Sequence, residues 1–159
     1  MAIEIERKFL VRGKPWAGMH GTRYRQGYLS TDPERSVRVR IAGDEATLTI
    51  KGRSQGASRT EFEYPIPQDD AEQLLDQLCI KSQIEKIRYR LDYAGLTWEL
   101  DVFLGENAGL AIAEVELDNL GQSIESPPWI DREVTGDKRF FNAYLTEHPY
   151  STWSDIPFL

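Results

Sequence analysis

Most of this chain alternates apolar and polar residues one by one, and this period of two constrains the fold more than any other feature. Such alternation is typical of strands that bury one face and leave the other polar. Short turns after Ala42 and after Tyr93 favour antiparallel hairpins over parallel strand–helix–strand units. The eight predicted strands are Ala2–Val11, Thr22–Ser30, Arg35–Ala42, Ala46–Gly52, Arg59–Ile66, Ile84–Asp92, Leu96–Leu104 and Leu110–Asp118.

Two segments have helical spacing instead. The first follows Pro67, with Asp69 or Asp70 as the expected N-cap. Its apolar residues recur at i, i+3, i+4, i+7 and i+8, namely Ala71, Leu74, Leu75, Leu78 and Cys79. The second is predicted to begin near Gly136-Asp137, to run through Arg139–Thr146 and to end before Pro149. Pro127-Pro128-Trp129 is predicted to be a loop between the last strand and this helix.

Length and charge exclude several classes of protein. The chain has 159 residues, which fits a single domain over 1–159 whose C-terminal helix and tail, about 136–159, pack on the rest. Its net charge of −7 argues against nucleic acid or an anionic membrane as a partner. The one cysteine, Cys79, cannot form an internal disulfide, and the charged N-terminus does not resemble a signal peptide. We therefore expect a cytoplasmic protein.

The polar faces of the predicted strands are almost purely ionic. A solvent-exposed face normally mixes in Ser, Thr, Gln and Asn, whereas these faces carry like-charged pairs such as Glu4 and Glu6 or Arg38 and Arg40. Neighbouring like charges on one face repel, so they need a counter-charge between them. Divalent cations between the carboxylates and a polyanion between the bases would supply it.

Eight strands are enough to close a barrel, and closure with the polar faces inward gives an ionic lumen. The inward acids are Glu4, Glu6, Glu61, Glu63, Glu99, Asp101, Glu114 and Glu116, and the inward bases are Lys8, Arg38, Arg40, Lys51, Lys86, Arg88 and Arg90. Mg²⁺ is bound in proteins by one or two carboxylates together with phosphate oxygens, and Arg and Lys bind phosphate by charge-assisted hydrogen bonds. The pattern thus predicts a mainly antiparallel α+β fold, with helices outside a barrel that holds metal and polyphosphate.

The same segments resemble a known family. Glu4-Ile5-Glu6-Arg7-Lys8 is similar to the E-x-E-x-K signature of the CYTH superfamily, the triphosphate tunnel metalloenzymes. Further family-like segments follow in family order over nearly the whole chain. They are Gln26–Leu29, Val37–Arg40, Leu48–Gly52, Glu61–Glu63, Lys86–Tyr89, Glu99–Asp101, Ala113–Glu116 and Val134–Asp137.

This resemblance implies an eight-stranded tunnel that hydrolyses a triphosphate with Mg²⁺ or Mn²⁺, two ions being held when the substrate is bound. The implied metal ligands are Glu4, Glu6, Glu61, Glu63, Glu114 and Glu116. The implied phosphate-binding residues are Lys8, Arg38, Arg40, Lys51, Lys86 and Arg88. The implied catalytic residues are Glu4, Glu6, Lys8, Tyr28 and Lys86, with Tyr28 near the reacting water. Glu99 and Asp101 are expected to orient the neighbouring bases.

The sequence leaves three functions open. Inorganic triphosphate is favoured because the chain has no extra domain to recognise a nucleoside or RNA. An organic triphosphate is the first alternative, acted on by a thiamine or nucleoside triphosphatase or by a class IV adenylate cyclase. A non-catalytic polyphosphate-binding module is the second. Two helices are too few to cover the apolar outside of eight strands, so we also expect a homodimer.

Overall fold

The computed structural model describes residues 3–153, which form one antiparallel sheet of nine strands. The strands are β1 Ile3–Val11, β2 Thr22–Ser30, β3 Ser36–Ala42, β4 Glu45–Lys51, β5 Ser58–Pro65, β6 Ile84–Tyr93, β7 Leu96–Phe103, β8 Ala111–Glu116 and β9 Ile130–Glu133. All eight predicted strands are present with bounds within two residues of the prediction, apart from Ala2, which lies outside the described residues.

The sheet closes on itself because β1 pairs with β5, with Glu4 opposite Arg59. The predicted eight-stranded barrel is therefore confirmed. The sequence analysis missed β9, which pairs with the far end of β1, where Phe9 lies opposite Glu133. Four mostly polar residues on a sheet edge carry too little alternation to reveal a strand.

Both predicted hairpins are present, with Ala42 opposite Glu45 and Tyr93 opposite Leu96. In the second hairpin the two loop residues, Ala94 and Gly95, have φ of 50° and 82°. Two successive positive φ values are typical of the primed turns, whose twist matches that of the flanking strands. The fold of the barrel wall is thus fixed by local turns and alternation.

Both helices exist, but two details of their prediction are wrong. Helix α1 spans Gln68–Gln77, and its N-cap is Pro67 without any side-chain cap, so neither Asp69 nor Asp70 caps it. Both aspartates lie in the first turn of the helix, where the positive end of the helix dipole favours them.

The second predicted helix is not continuous. A short 3-10 turn, Lys138–Phe140, precedes helix α2, Asn142–Glu147, and Phe141 between them has extended backbone with φ −78° and ψ 138°. The Phe141 ring lies beside two cations, with its centre 4.9 Å from Lys8 Nζ and 5.5 Å from Arg59 Cζ. Phe141 thus interrupts the helix and contacts two cations of the lumen. The spacing of apolar residues in the sequence does not show this interruption.

The outside of the barrel is covered in patches rather than by one layer. Helix α1 packs Ala71 and Leu75 on Val39 and Ala46. The aromatic residues Trp16 and Trp129 pack on the cluster around Trp98. Ile3, Ile50, Phe62 and Tyr64, on β1, β4 and β5, are left exposed.

One end of the barrel is closed by an apolar core. Leu10, Ile84, Phe103 and Ile112 lie two residues beyond Lys8, Lys86, Asp101 and Glu114, and therefore continue the inner faces of β1, β6, β7 and β8. They pack against Phe140 and Leu145 of the C-terminal segment, with Tyr150 and Trp153 beside them. The C-terminal segment is thus held at the barrel end next to the ionic residues. The last six residues of the predicted C-terminal tail, 154–159, lie outside the described residues.

No helix within residues 3–153 is long and apolar enough to cross a membrane.

Candidate active site

The lumen contains a cavity of about 580 Å³, within the range of ordinary ligand pockets. Every site residue that the resemblance implied lines this cavity. These thirteen residues are Glu4, Glu6, Lys8, Tyr28, Arg38, Arg40, Lys51, Glu61, Glu63, Lys86, Arg88, Glu114 and Glu116. The alternation brings them together because one parity of each strand faces the closed interior.

Strands β3 and β6 carry the basic wall, by which we mean Arg38, Arg40, Lys86 and Arg88. Its centre is a buried carboxylate, Asp101, which lies 2.6 Å from Lys86 Nζ. The same carboxylate accepts two hydrogen bonds from Arg88, from Nε at 2.7 Å and from Nη2 at 2.8 Å. Asp101 therefore holds two cations of the wall at fixed positions, as the sequence predicted for an orienting acid.

Crowding within the basic wall shifts the pKa of its members. Burial and the neighbouring Arg88 and Arg40 lower the pKa of Lys86 to about 7, although Asp101 opposes the shift. Burial together with Arg38 and Arg88 lowers the pKa of Arg40 to about 9. Burial acts to raise the pKa of Asp101, but Arg88 and Lys86 outweigh it and hold that pKa well below its usual range. The wall carries more positive charge than its own carboxylate neutralises, which favours an anionic ligand.

Strand β2 runs between the two basic strands and presents no charge to the lumen. Its inward residues are Tyr24, Gln26 and Tyr28, all buried. The Tyr24 ring centre is 4.8 Å from Arg40 Cζ, 5.0 Å from Arg88 Cζ and 5.7 Å from Lys86 Nζ. The negative face of an aromatic ring attracts cations, so Tyr24 separates three like charges at low cost.

Strands β1 and β8 carry the acidic wall, by which we mean Glu4, Glu6, Glu114 and Glu116. Glu6 lies opposite Glu116, and Lys8 lies opposite Glu114. Lys8 Nζ is 3.9 Å from both Glu6 Oε1 and Glu114 Oε1, so one cation is shared by two carboxylates.

The carboxylates of the acidic wall do not ionise equally. Burial and the nearby Glu114 raise the pKa of Glu6 to about 8. Burial opposes ionisation of Glu114 as well, but Lys8 and Arg88 outweigh it and lower the pKa of Glu114 to about 2. Burial with Glu4 and Glu99 raises the pKa of Glu116. Burial and mutual repulsion thus favour the protonated form of Glu6 and Glu116, whereas Lys8 and Arg88 keep Glu114 ionised.

Lys51 joins the acidic wall to strand β5. Its Nζ lies 3.0 Å from Glu4 Oε1 and 3.2 Å from Glu61 Oε2. Glu63 is about half exposed, accepts a hydrogen bond from Thr49 at 3.1 Å and lies 3.7 Å from Arg38. Glu61 is thus connected to Glu4 through Lys51, and Glu63 lies beside Arg38 of the basic wall.

The donor set of the acidic wall fits a hard divalent cation. Its carboxylate oxygens suit Mg²⁺ or Mn²⁺, which prefer carboxylate, phosphate and water oxygens. Among residues 3–153, no three carboxylate, His or Cys side chains converge as a ready-made metal cluster. Mg²⁺ needs only one or two protein carboxylates when phosphate oxygens and water complete its shell, so the two observations agree.

Four lumen residues were not assigned a role from the sequence. Tyr24 and Gln26 share the parity of Tyr28 on β2, so alternation alone could have placed them inside. Asn142 and Phe141 carry no such signal, because they reach the lumen from the far end of the chain. Arg59 lines the cavity and donates a hydrogen bond to the Gly52 carbonyl at 3.0 Å.

Comparison with known proteins settles the family. The model of the CYTH domain matches residues 2–141 of this chain. This chain belongs to the CYTH family. The family resemblance seen in eight ordered segments is therefore confirmed.

Two relatives and one solved structure support this CYTH assignment over nearly the full length. An inorganic triphosphatase of Acetivibrio thermocellus is 48% identical over 156 residues, covering 98% of this chain and 100% of the relative. An inorganic triphosphatase of Nitrosomonas europaea is 39% identical, covering 89% of this chain and 95% of the relative. The crystal structure of an inorganic triphosphatase matches with a TM-score of 0.64 at 37% identity, covering 89% of this chain and 96% of that chain.

Proposed function

We propose that this CYTH protein hydrolyses inorganic triphosphate to diphosphate and phosphate inside its lumen, with Mg²⁺ or Mn²⁺. The observation that carries the proposal is the cavity, in which a basic wall and an acidic wall face one space. A triphosphate with its metal ions needs both kinds of charge, whereas a pure anion site would not need buried carboxylates. The full-length relatives named inorganic triphosphatase support the same substrate.

We assign the basic residues of the lumen to phosphate binding and the acidic residues to metal binding. Lys86, Arg88, Arg40 and Arg38 bind phosphate oxygens and stabilise charge on the leaving diphosphate. Phosphoryl transfer demands mainly placement and charge stabilisation, so a rigid cationic wall supplies much of what is needed. Lys8 lies between Glu6 and Glu114, where it can bind a phosphate oxygen at the border of the two walls.

Glu4, Glu6, Glu114 and Glu116, with Glu61 and Glu63 on the neighbouring strand β5, would hold the metal ions, two of them when the substrate is bound. Such ions supply neutralisation of phosphate charge and a more acidic attacking water. Tyr28 is buried at the cavity surface, and its hydroxyl would orient that water.

The test is phosphate release from inorganic triphosphate, ATP and thiamine triphosphate, each with Mg²⁺, Mn²⁺ or EDTA. Fast release from inorganic triphosphate that needs metal and is lost in Glu4→Ala and Glu6→Ala is expected. Faster release from ATP or thiamine triphosphate would show that an organic triphosphate, and not inorganic triphosphate, is the preferred substrate. No release from any of the three by folded protein would favour a cyclase or a binding module, and cyclic AMP formation would then be measured.

The remaining assignments are proposals of the same kind. We assign the chain to one domain and to the cytoplasm. The exposed side chains Ile3, Ile50, Phe62 and Tyr64 support a homodimer through β4 and β5, since two copies would bury them. A monomer by light scattering at micromolar concentration would rule out this dimer.

A further inference from the structure

A chain of hydrogen bonds runs from the basic wall into the C-terminal helix α2. Arg40 Nε donates to Gln26 Oε1 at 2.9 Å, and Gln26 Nε2 donates to Asn142 Oδ1 at 2.8 Å. Lys86 Nζ donates to the same Asn142 oxygen at 3.0 Å. Two cations from different strands are thereby connected through two neutral amides.

The chemistry of the four groups fixes the orientation of both amides. Arg and Lys side chains can only donate, so each must meet an amide oxygen. Because the Gln26 oxygen is used by Arg40, its NH₂ group faces Asn142, whose oxygen must then accept from both Gln26 and Lys86. Only one arrangement satisfies all four groups, and Gln26 is fully buried, so an unpaired amide there would be costly.

This arrangement leaves defined donors for a ligand. An ammonium group has three N–H donors. Two of those on Lys86 go to Asp101 and Asn142, and one is left. Arg40 is held through Nε alone, and within residues 3–153 no acceptor engages its two Nη atoms. The network therefore fixes both side chains while leaving N–H groups for phosphate oxygens.

We propose that Asn142, acting through Lys86 and Gln26, is a positioning residue for phosphate binding, so that the C-terminal segment completes the phosphate site. The inference rests on the proposed function for its kinetic consequence, but the placement of Lys86 can be measured without substrate. Asn142 lies 116 residues away from Gln26 in sequence, so docking of α2 brings its side chain to Gln26 on β2 and Lys86 on β6.

The chain offers a matched control for mere anchoring of the C-terminal segment. Asn107 is also buried, and its Oδ1 accepts a hydrogen bond from the Tyr150 backbone N–H at 2.8 Å. It ties down the same segment but lies outside the residues that line the cavity. A purely structural contribution would be shared by Asn142→Ala and Asn107→Ala, whereas positioning of Lys86 belongs to Asn142 alone.

The first measurement is NMR of the full chain with ¹³C-labelled lysine, in EDTA and without substrate. The chain has six lysines, and the Lys86 signal is identified by its loss in Lys86→Arg. We expect Asn142→Ala to shift the Lys86 side-chain signal and Asn107→Ala to leave it in place. An unshifted Lys86 signal in folded Asn142→Ala would overturn the proposal.

The second measurement is steady-state hydrolysis of inorganic triphosphate with Mg²⁺. Loss of an oriented charge-assisted hydrogen bond is expected to lower kcat/KM of Asn142→Ala about tenfold, mostly through KM, while Asn107→Ala stays within about twofold. Equal losses in both variants would overturn the proposal in favour of anchoring.

A third variant covers the case in which Asn142→Ala does not fold. Gln26→Leu keeps a similar side-chain size but breaks the links to Arg40 and Asn142, and it should lower kcat/KM about tenfold relative to wild type. An unchanged kcat/KM in folded Gln26→Leu would contradict the network. If the wild-type protein releases no phosphate, the proposed function is wrong. The role of Asn142 in positioning Lys86 would then be tested by the NMR signal alone, which needs no substrate.

Discussion

The two walls of the lumen differ in how their charges are held. The basic wall contains its own counter-ion, Asp101, and amide partners that fix Lys86 and Arg40. The acidic wall shares Lys8 at 3.9 Å between Glu6 and Glu114 and keeps the pKa of Glu6 near 8. The basic wall is thus held by direct hydrogen bonds to its own partners, whereas the acidic wall keeps neighbouring carboxylates with only loosely shared cations.

The largest effect is expected from removing the counter-ion of the basic wall. Asp101→Ala leaves Lys86 and Arg88 buried without their common carboxylate, which costs about 3–5 kcal/mol of unfolding free energy. Urea unfolding measures this loss. Glu99→Ala, two residues away on the same face and about a third exposed, is the control and should cost less than about 1 kcal/mol. Equal costs would show that the basic wall is not organised around Asp101.

The next effect tests the opposite property of the acidic wall. Glu6→Gln removes a proposed metal ligand, and we expect phosphate release to fall about 100-fold. The same variant should unfold at higher urea than wild type in EDTA at pH 8, because it relieves repulsion with Glu114. Glu45→Gln at the exposed rim of the cavity serves as the control, with activity within about twofold. A Glu6→Gln variant that is less stable without metal would contradict the comparison.

The pH dependence of stability should separate the walls. A carboxyl whose folded pKa is raised, as for Glu6, stabilises below its unfolded value near 4.5, and this stabilisation is lost as pH rises toward 8. Glu114, whose folded pKa is lowered to about 2, stabilises above 4.5 and loses this effect as pH falls through 2.

Thermal melts of metal-free protein from pH 3 to pH 9 check both signs. We expect the melting temperature to fall between pH 5 and pH 8 in EDTA, and Mg²⁺ to restore it increasingly at higher pH, since ligands bind metal when deprotonated. A Mg²⁺ effect as large at pH 5 as at pH 8 would argue against the acidic wall as the metal site.

The smallest effect marks the boundary of the basic wall. Arg90 follows Arg88 on the same face of β6, but its side chain is 64% exposed and pairs with Glu99 at 3.2 Å. Arg90→Ala should therefore change the KM for inorganic triphosphate less than about fivefold, as for other exposed ion pairs. Arg40→Ala, which removes a buried phosphate donor, should raise the KM about 10- to 100-fold. Similar KM values for the two variants would show that Arg90 also belongs to the phosphate-binding residues of the basic wall.

The strands of the barrel wall and the residues that face its interior could be predicted from the residue pattern alone. Alternation is a local property, since successive side chains of a strand point to opposite faces, so the parity of Glu4, Arg38 and Lys86 was readable from short segments. The hairpin turns at Ala42 and Tyr93 were equally local. Errors were confined to places without such a signal, namely the short edge strand β9, the cap of α1 and the break at Phe141.

The tertiary structure decided which residues meet across the lumen. Closure of β1 on β5 sets Lys51 between Glu4 and Glu61, and the return of the C-terminal segment brings Asn142 to Lys86 and Gln26. These contacts join residues that are far apart in the chain. The local residue pattern around one partner does not indicate which distant residue it will contact. Their geometry depends on barrel register and on packing of Phe140 and Leu145 at the closed end, which exist only once the whole chain has folded.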